Sequence, residues 1–233
     1  MQINLNQIEI PPGQYLRLHG IDWQTFEKFL AETGDERHSR VLYDSGILEL
    51  MAPSPVHEKS KSIFGRLVEA FFEEIDIENQ AGGSTTFKNE EMEKGIEPDE
   101  CFYFGEHAMA LCWEESGIPD LAIEADKTSS SLKKLQGYKM FGVSEVWIYD
   151  VNVNKGDLKI YNGTSLVKES LYVPNQALDK IKESVQAIKE GKSNNAVKRE
   201  FRKWVREMDA KINLKAQVEE KLDKVVPTNE RRC

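Results

Sequence analysis

Residues 119–149, PDLAIEADKTSSSLKKLQGYKMFGVSEVWIY, hold two apolar runs on either side of a helical stretch. Leu121-Ala122-Ile123, bounded by acids, predicts a short strand. Lys127 to Ser131 predicts a polar turn, Leu132 to Phe141 a helix stopped by Gly142, and Val146 to Tyr149 a second strand. Strand, helix, strand within some thirty residues is a βαβ unit, so part of the sheet is expected to be parallel. Side chains alternate along a strand. Asp120, Ala122, Glu124 and Asp126 therefore share one face, and Leu121, Ile123 and Ala125 the other. Like charges on one face of a half-buried strand repel, so a cation or a lysine is expected beside them. Lys127, Lys133 and Lys134 all follow within ten residues of Glu124.

Upstream, Asp99 stands where the charged loop Lys88 to Glu97 turns into the apolar run Cys101 to Phe104. Short strands are predicted near Ile77 to Gln80 and Thr85 to Phe87, around Gly82-Gly83. Ile63, Phe64, Leu67, Val68, Phe71, Phe72 and Ile75 repeat at helical spacing, and before them Pro53 and Pro55 close off a hairpin. That hairpin pairs Val41-Leu42-Tyr43 with Ile47 to Met51 around Asp44-Ser45-Gly46. Asp22 caps a helix that runs to about Thr33 before Gly34. Downstream, Leu158 to Tyr161 and Leu166-Val167 read as an edge hairpin. The tail is helical, with Val197, Phe201, Trp204, Val205, Met208 and Ile212 as its apolar stripe and Lys198, Arg199, Arg202, Lys203 and Arg206 over the rest. The expected organisation is α/β: an N-terminal helical extension over 1–39 packed on a mixed-sheet core over 40–175, and a basic helical tail over 176–233.

The net charge of -9 is unevenly spread. From Lys180 to Arg232 there are 15 basic and 9 acidic side chains, a net of +6, which leaves -15 on the first 179 residues. A carboxylate-rich core suits hard divalent cations, which prefer oxygen ligands, and equally suits a solvated surface. The tail's basic stripe reads as a solvated face, a DNA contact or an oligomerisation element. Cys101, Cys112 and Cys233 show no disulfide or zinc spacing. Neither an export signal nor a run of about 18 apolar residues occurs, so a cytoplasmic protein with no membrane partner is expected.

Asp99, the Glu124 strand and, as a candidate neighbour, the Glu49 strand bring acids together if the sheet forms as drawn. A divalent ion held by two carboxylates polarises a phosphate and lowers the pKa of a bound water, and a nearby ammonium steadies the charge that develops at phosphorus.

The segments Tyr43 to Pro53, His57-Glu58, Gly83 to Phe87, Gly95 to Glu100, Pro119 to Glu124, then Tyr138, Gly142-Val143, Glu145, Trp147 and Asp150 resemble, in this order, the Uma family of endonucleases. That family is a branch of the PD-(D/E)xK superfamily. The resemblance spans roughly residues 15 to 175, and more weakly Phe201 to Arg206. It implies a restriction-endonuclease-like fold and a Mg²⁺- or Mn²⁺-dependent site that cuts DNA, working as a homodimer because duplex cutting needs one site per strand. Asp99 is then the Pro-Asp aspartate and Glu124 the acid of the (D/E)xK motif, both metal ligands. The lysine position two residues on holds Asp126 instead, kept here as a candidate catalytic residue. Lys134 on the following helix is the expected replacement, with Lys127 as second choice. Glu58, beside His57, fits an early helical metal ligand better than Glu49. A nuclease fold that has lost its chemistry and only binds nucleic acid or protein is the alternative.

Overall fold

The computed structural model describes residues 8–34, 37, 39–110, 117–126, 130–151 and 157–225. Its helices are α1 (Trp23–Thr33), α2 (Pro55–Glu74), α3 (Gly105–Ala110), α4 (Ser130–Phe141), α5 (Asn175–Lys189), α6 (Asn194–Ile212) and α7 (Leu214–Lys224). Strands β1 (Tyr15–His19), β2 (Arg40–Asp44), β3 (Ile47–Met51), β5 (Phe87–Asn89) and β6 (Lys94–Ile96) form an antiparallel sheet in the order β1-β3-β2-β6-β5. Strands β4 (Asn79–Ala81), β7 (Glu100–Phe104), β8 (Leu121–Asp126), β9 (Glu145–Asp150), β10 (Leu158–Asn162) and β11 (Ser165–Val167) form the second, in the order β11-β10-β9-β8-β7-β4.

The βαβ expectation holds: β8 and β9 run parallel, joined through α4. Alternation sorts the second sheet's side chains into two cores. Leu121, Ile123, Ala125, Phe102, Phe104, Trp147 and Tyr149 join α2 and the helical C-terminal part. Ala122, Cys101, Tyr103, Val146 and Ile148 face the α4 side with Leu135 and Tyr138. Glu124 points to this second side, where its carboxylate meets Tyr138. The α6 stripe is seated on α2, with Val197, Phe201 and Val205 buried and with Arg202 and Arg206 paired to Glu73 and Glu74. Part of the tail's basic face is thereby neutralised within the chain.

In the first sheet, Ser45 and Gly46 both have positive φ (45° and 86°), the combination that closes a two-residue hairpin between β2 and β3. The core side of this sheet packs Val41, Tyr43, Leu48 and Leu50 against Phe26 and Phe29 of α1. Two strands escape the sequence patterns. β1 has only a short run of alternation to announce it, and β6 lies inside the charged stretch read as a loop, recruited by pairing with Tyr43 and Asp44. The expected α/β core is present, built of an antiparallel sheet and a mixed sheet that carries the parallel β8–β9 pair.

Gly95, on β6, is where α1 meets the sheet: a Cβ there would lie 2.4 Å from Phe26 Cζ, and Phe26 is itself stacked on Tyr43 at 4.5 Å. Gly95→Ala is expected to cost about 1–3 kcal/mol through overpacking. Urea denaturation should show a lower midpoint at unchanged slope, and an unmoved midpoint would contradict this packing.

Candidate active site

Asp99 precedes β7 and Glu124 lies near the end of β8, and antiparallel pairing of Glu100 with Ile123 brings them to one end of the sheet. The backbone N–H of Ala125 donates to Asp99 Oδ2 (2.8 Å), stitching one acid to the residue after the other. His57, in the first turn of α2, also bonds Oδ2 through Nε2 (2.9 Å). Asp99 Oδ1 is buried and, among the described residues, has no hydrogen-bond donor; Arg40 Nε lies 3.7 Å from it. Lys134 reaches back from α4 and donates to Glu124 Oε2 (2.8 Å), Glu124 Oε1 (2.9 Å) and the carbonyl of Glu97 (3.1 Å). The Tyr138 hydroxyl, one helical turn further, donates to Glu124 Oε1. Asp99 is 1% and Glu124 2% exposed. Both line a narrow cleft of about 30 Å³ together with Lys134, His57, Arg40 and Glu49.

Burial decides the electrostatics, and the pairs modify it. For Glu124, loss of solvent pushes the carboxyl up to about 7 even with Lys134 beside it, and the charge of Asp99 adds to the rise. Burial also works against ionised Asp99, but the His57 bond, the charges of His57 and Lys134 and the Ala125 N–H outweigh it and hold this carboxyl below its usual range. His57 would be depressed by burial, yet its bonds to Asp99 and Glu58 raise it to about 9. Lys134, desolvated as well, is held above its ordinary value by Glu124 and Asp99.

The structure thus brings Asp99, Glu124 and Lys134 together. Glu58 stands at the margin: its Oε1 lies 3.3 Å from Arg40 Nη2 and 3.4 Å from His57 Nδ1, and its side chain is 43% exposed, while Glu49 lines the cleft and takes Arg17 Nε at 3.1 Å. Asp126 pairs with Asp150 through the β8–β9 backbone; its side chain and the whole of Lys127 lie outside the described residues. Asp120 is not part of the cluster. It accepts from Phe104 N and sits 2.9 Å from His107 Nδ1, at the other end of β8.

Four participants were given no role from the sequence: Arg37, Arg40, Glu97 and Tyr138. Arg40 and Arg37 bind the buried carboxylate of Glu97 (3.4 and 2.6 Å), and Tyr138 holds Glu124 as His57, singled out beside Glu58, holds Asp99. Glu97 and Tyr138 lie inside motif segments, which was a usable signal. Arg40 carried none.

A buried carboxylate oxygen without a donor is rare, and here it faces a cleft with a second acid. An all-oxygen pair suits Mg²⁺ or Mn²⁺, which bind through one or two carboxylates and keep several waters. Among the described residues no group of three or more His, Cys, Asp or Glu is arranged to hold a metal.

The pKa directions give the metal-free protein a defined pH response. Glu124 is raised, so its contribution to stability is present below about 4.5 and lost as pH climbs through 7; that of His57 is present below about 6.5 and lost as pH climbs through 9. Stability in EDTA should therefore fall from pH 5 to pH 9. Glu124→Gln should flatten the lower half of that fall and His57→Gln the upper half, measured by urea midpoints. Parallel profiles for wild type and both variants would contradict these environments.

No curated protein matches this chain. A family does: Uma2, described as "Putative restriction endonuclease", matches residues 23–179. The match covers more than half of the sequence and takes in the second sheet, the first sheet apart from β1, the βαβ unit and every acid of the cleft, so the chain belongs to the Uma2 family of restriction-endonuclease-like proteins.

Proposed function

We propose that this chain is a Mg²⁺- or Mn²⁺-dependent endonuclease that hydrolyses phosphodiester bonds in DNA. The observation that carries the reading is Asp99 Oδ1, a buried acceptor with no donor, in the same cleft as the Glu124–Lys134 pair. Asp99 and Glu124 would hold the ion, which when bound supplies positive charge to the phosphoryl oxygens and lowers the pKa of a water.

The chain's own groups do the rest. His57 and the Ala125 N–H both bond Asp99 Oδ2, which fixes the carboxylate and leaves Oδ1 for the cleft. Tyr138, on the same helix as Lys134, holds Glu124 through Oε1. Lys134, tethered by Glu124 and the Glu97 carbonyl, holds an ammonium at the cleft where charge develops on the phosphate. It takes the place of the motif lysine that Asp126 displaces. Burial of both acids keeps bulk water from screening these charges. A homodimer is required only where both strands of a duplex are cut. A cytoplasmic setting agrees with the reading, and no helix among the described residues is long and apolar enough to cross a membrane.

A second reading, a nuclease fold that binds without cutting, draws on the fact that Lys134 bonds both oxygens of Glu124. The two readings separate in one assay with DNA and Mg²⁺ or Mn²⁺. Cleavage by wild type should vanish in Asp99→Ala and fall about 10²–10³-fold in Lys134→Met, the scale for loss of one charge-stabilising donor. Tyr138→Phe, acting through Glu124, should lose about 10–100-fold. DNA binding that survives EDTA, with no cleavage in either metal, would select the second reading.

A further inference from the structure

The wall of the cleft opposite the acids is the outer face of the first sheet, and its chemistry is ordered by register. Tyr15 pairs with Met51, and Met51 with Arg40, so one row crosses β1, β3 and β2. All three residues line the cleft, and Arg40 ends 3.7 Å from Asp99 Oδ1. Strands lie about 4.8 Å apart, which puts Tyr15 roughly 10 Å from Arg40 along the row. The row runs from the buried acids outward to an aromatic ring.

That ring is open. Tyr15 is 55% exposed, while the aromatic residues of the cores are buried. Arg17, two residues along β1 on the same face, stands 5.9 Å from the ring centroid and is held there by Glu49. The acids at the other end of the row are 1–2% exposed, at the base of the cleft rather than on an open face. A duplex is stiff, with its bases stacked on one another, and offers a side chain no free π face. An unpaired strand bends into a recess and turns its bases outward, where every base has a face to stack.

We propose that Tyr15 is the stacking platform for an unpaired nucleobase next to the phosphate held at the cleft, so that the strand bound there is single-stranded: a free single strand, a flap or a gap. Arg40, Arg17 and Lys134 stand along the row and beside it, each held in place by a carboxylate of the chain, Glu97, Glu49 and Glu124 in turn. The placement of the phosphate rests on the nuclease reading; the stacking is read from binding alone.

The test uses the full chain in EDTA with one oligonucleotide carrying 2-aminopurine, single-stranded or annealed to its complement, followed by fluorescence and anisotropy. Wild type and Tyr15→Phe should quench the single strand, and Tyr15→Ala and Tyr15→Leu should not. Both ring-less variants should bind the single strand about tenfold more weakly, with duplex affinity changed less than twofold. Tyr15→Leu keeps an apolar residue suited to a strand, and urea midpoints equal to wild type will show that it folds. Unchanged single-strand binding by Tyr15→Leu, or equal weakening on both DNA forms, would overturn the platform. Cleavage is measured in parallel with Mn²⁺. If the wild type binds through Tyr15 and cuts neither form, the platform stands and the nuclease reading falls.

Discussion

A carboxylate that is 2% exposed is driven toward its neutral form unless a cation stands beside it to oppose the loss of solvent, and that constraint organises this end of the molecule. Glu124 meets it with Lys134, which must come from α4 because the strand itself continues into another acid, Asp126. Lys134 in turn binds the Glu97 carbonyl, and Glu97 gathers Arg37 and Arg40. Each buried charge recruits the next. The network spans both sheets: Glu124 and Asp99 belong to the second, and Arg40 and the β6 segment ending before Glu97 to the first. Apolar packing is tolerant of small shifts, whereas these charge pairs tie named residues of one sheet to named residues of the other.

The parts of the fold visible in the sequence are those whose pattern is local. The strand, helix and strand of 119–149 announce themselves through apolar runs and a stopping glycine, and α2 through a helical repeat. β6 does not, since Lys94-Gly95-Ile96 has no strand composition and is extended only because β2 and β5 flank it. The same division applies to the site. Asp99 and Glu124 stand where a loop enters one strand and where another strand nears its end, which marks them. The contact between His57 and Asp99 joins residues 42 positions apart, and Arg40 is one arginine among many until the register of β2 places it. Asp120 shows the converse error. Strand parity puts it on the face of Glu124, but four residues of rise carry it to the opposite end of the strand, where Phe104 N and His107 use it.

The position of the lysine shows what such a site conserves physically. On a strand, a residue two positions after an acid projects from the same face, so a lysine there stands beside the carboxylate for geometric reasons. Here that position is Asp126, and the chain next enters α4, which lies over the same face of the sheet. From the second turn of that helix a four-carbon stem reaches Glu124, and Tyr138 follows at i+4 on the same helical face to take the same carboxylate. Two side chains of one helix thus deliver what a single strand lysine supplies elsewhere. They add a constraint the strand arrangement lacks, because α4 cannot shift along the sheet without uncovering Glu124. An ammonium within about 3 Å of a buried acid can thus be delivered from a helix as well as from the strand that carries the acid.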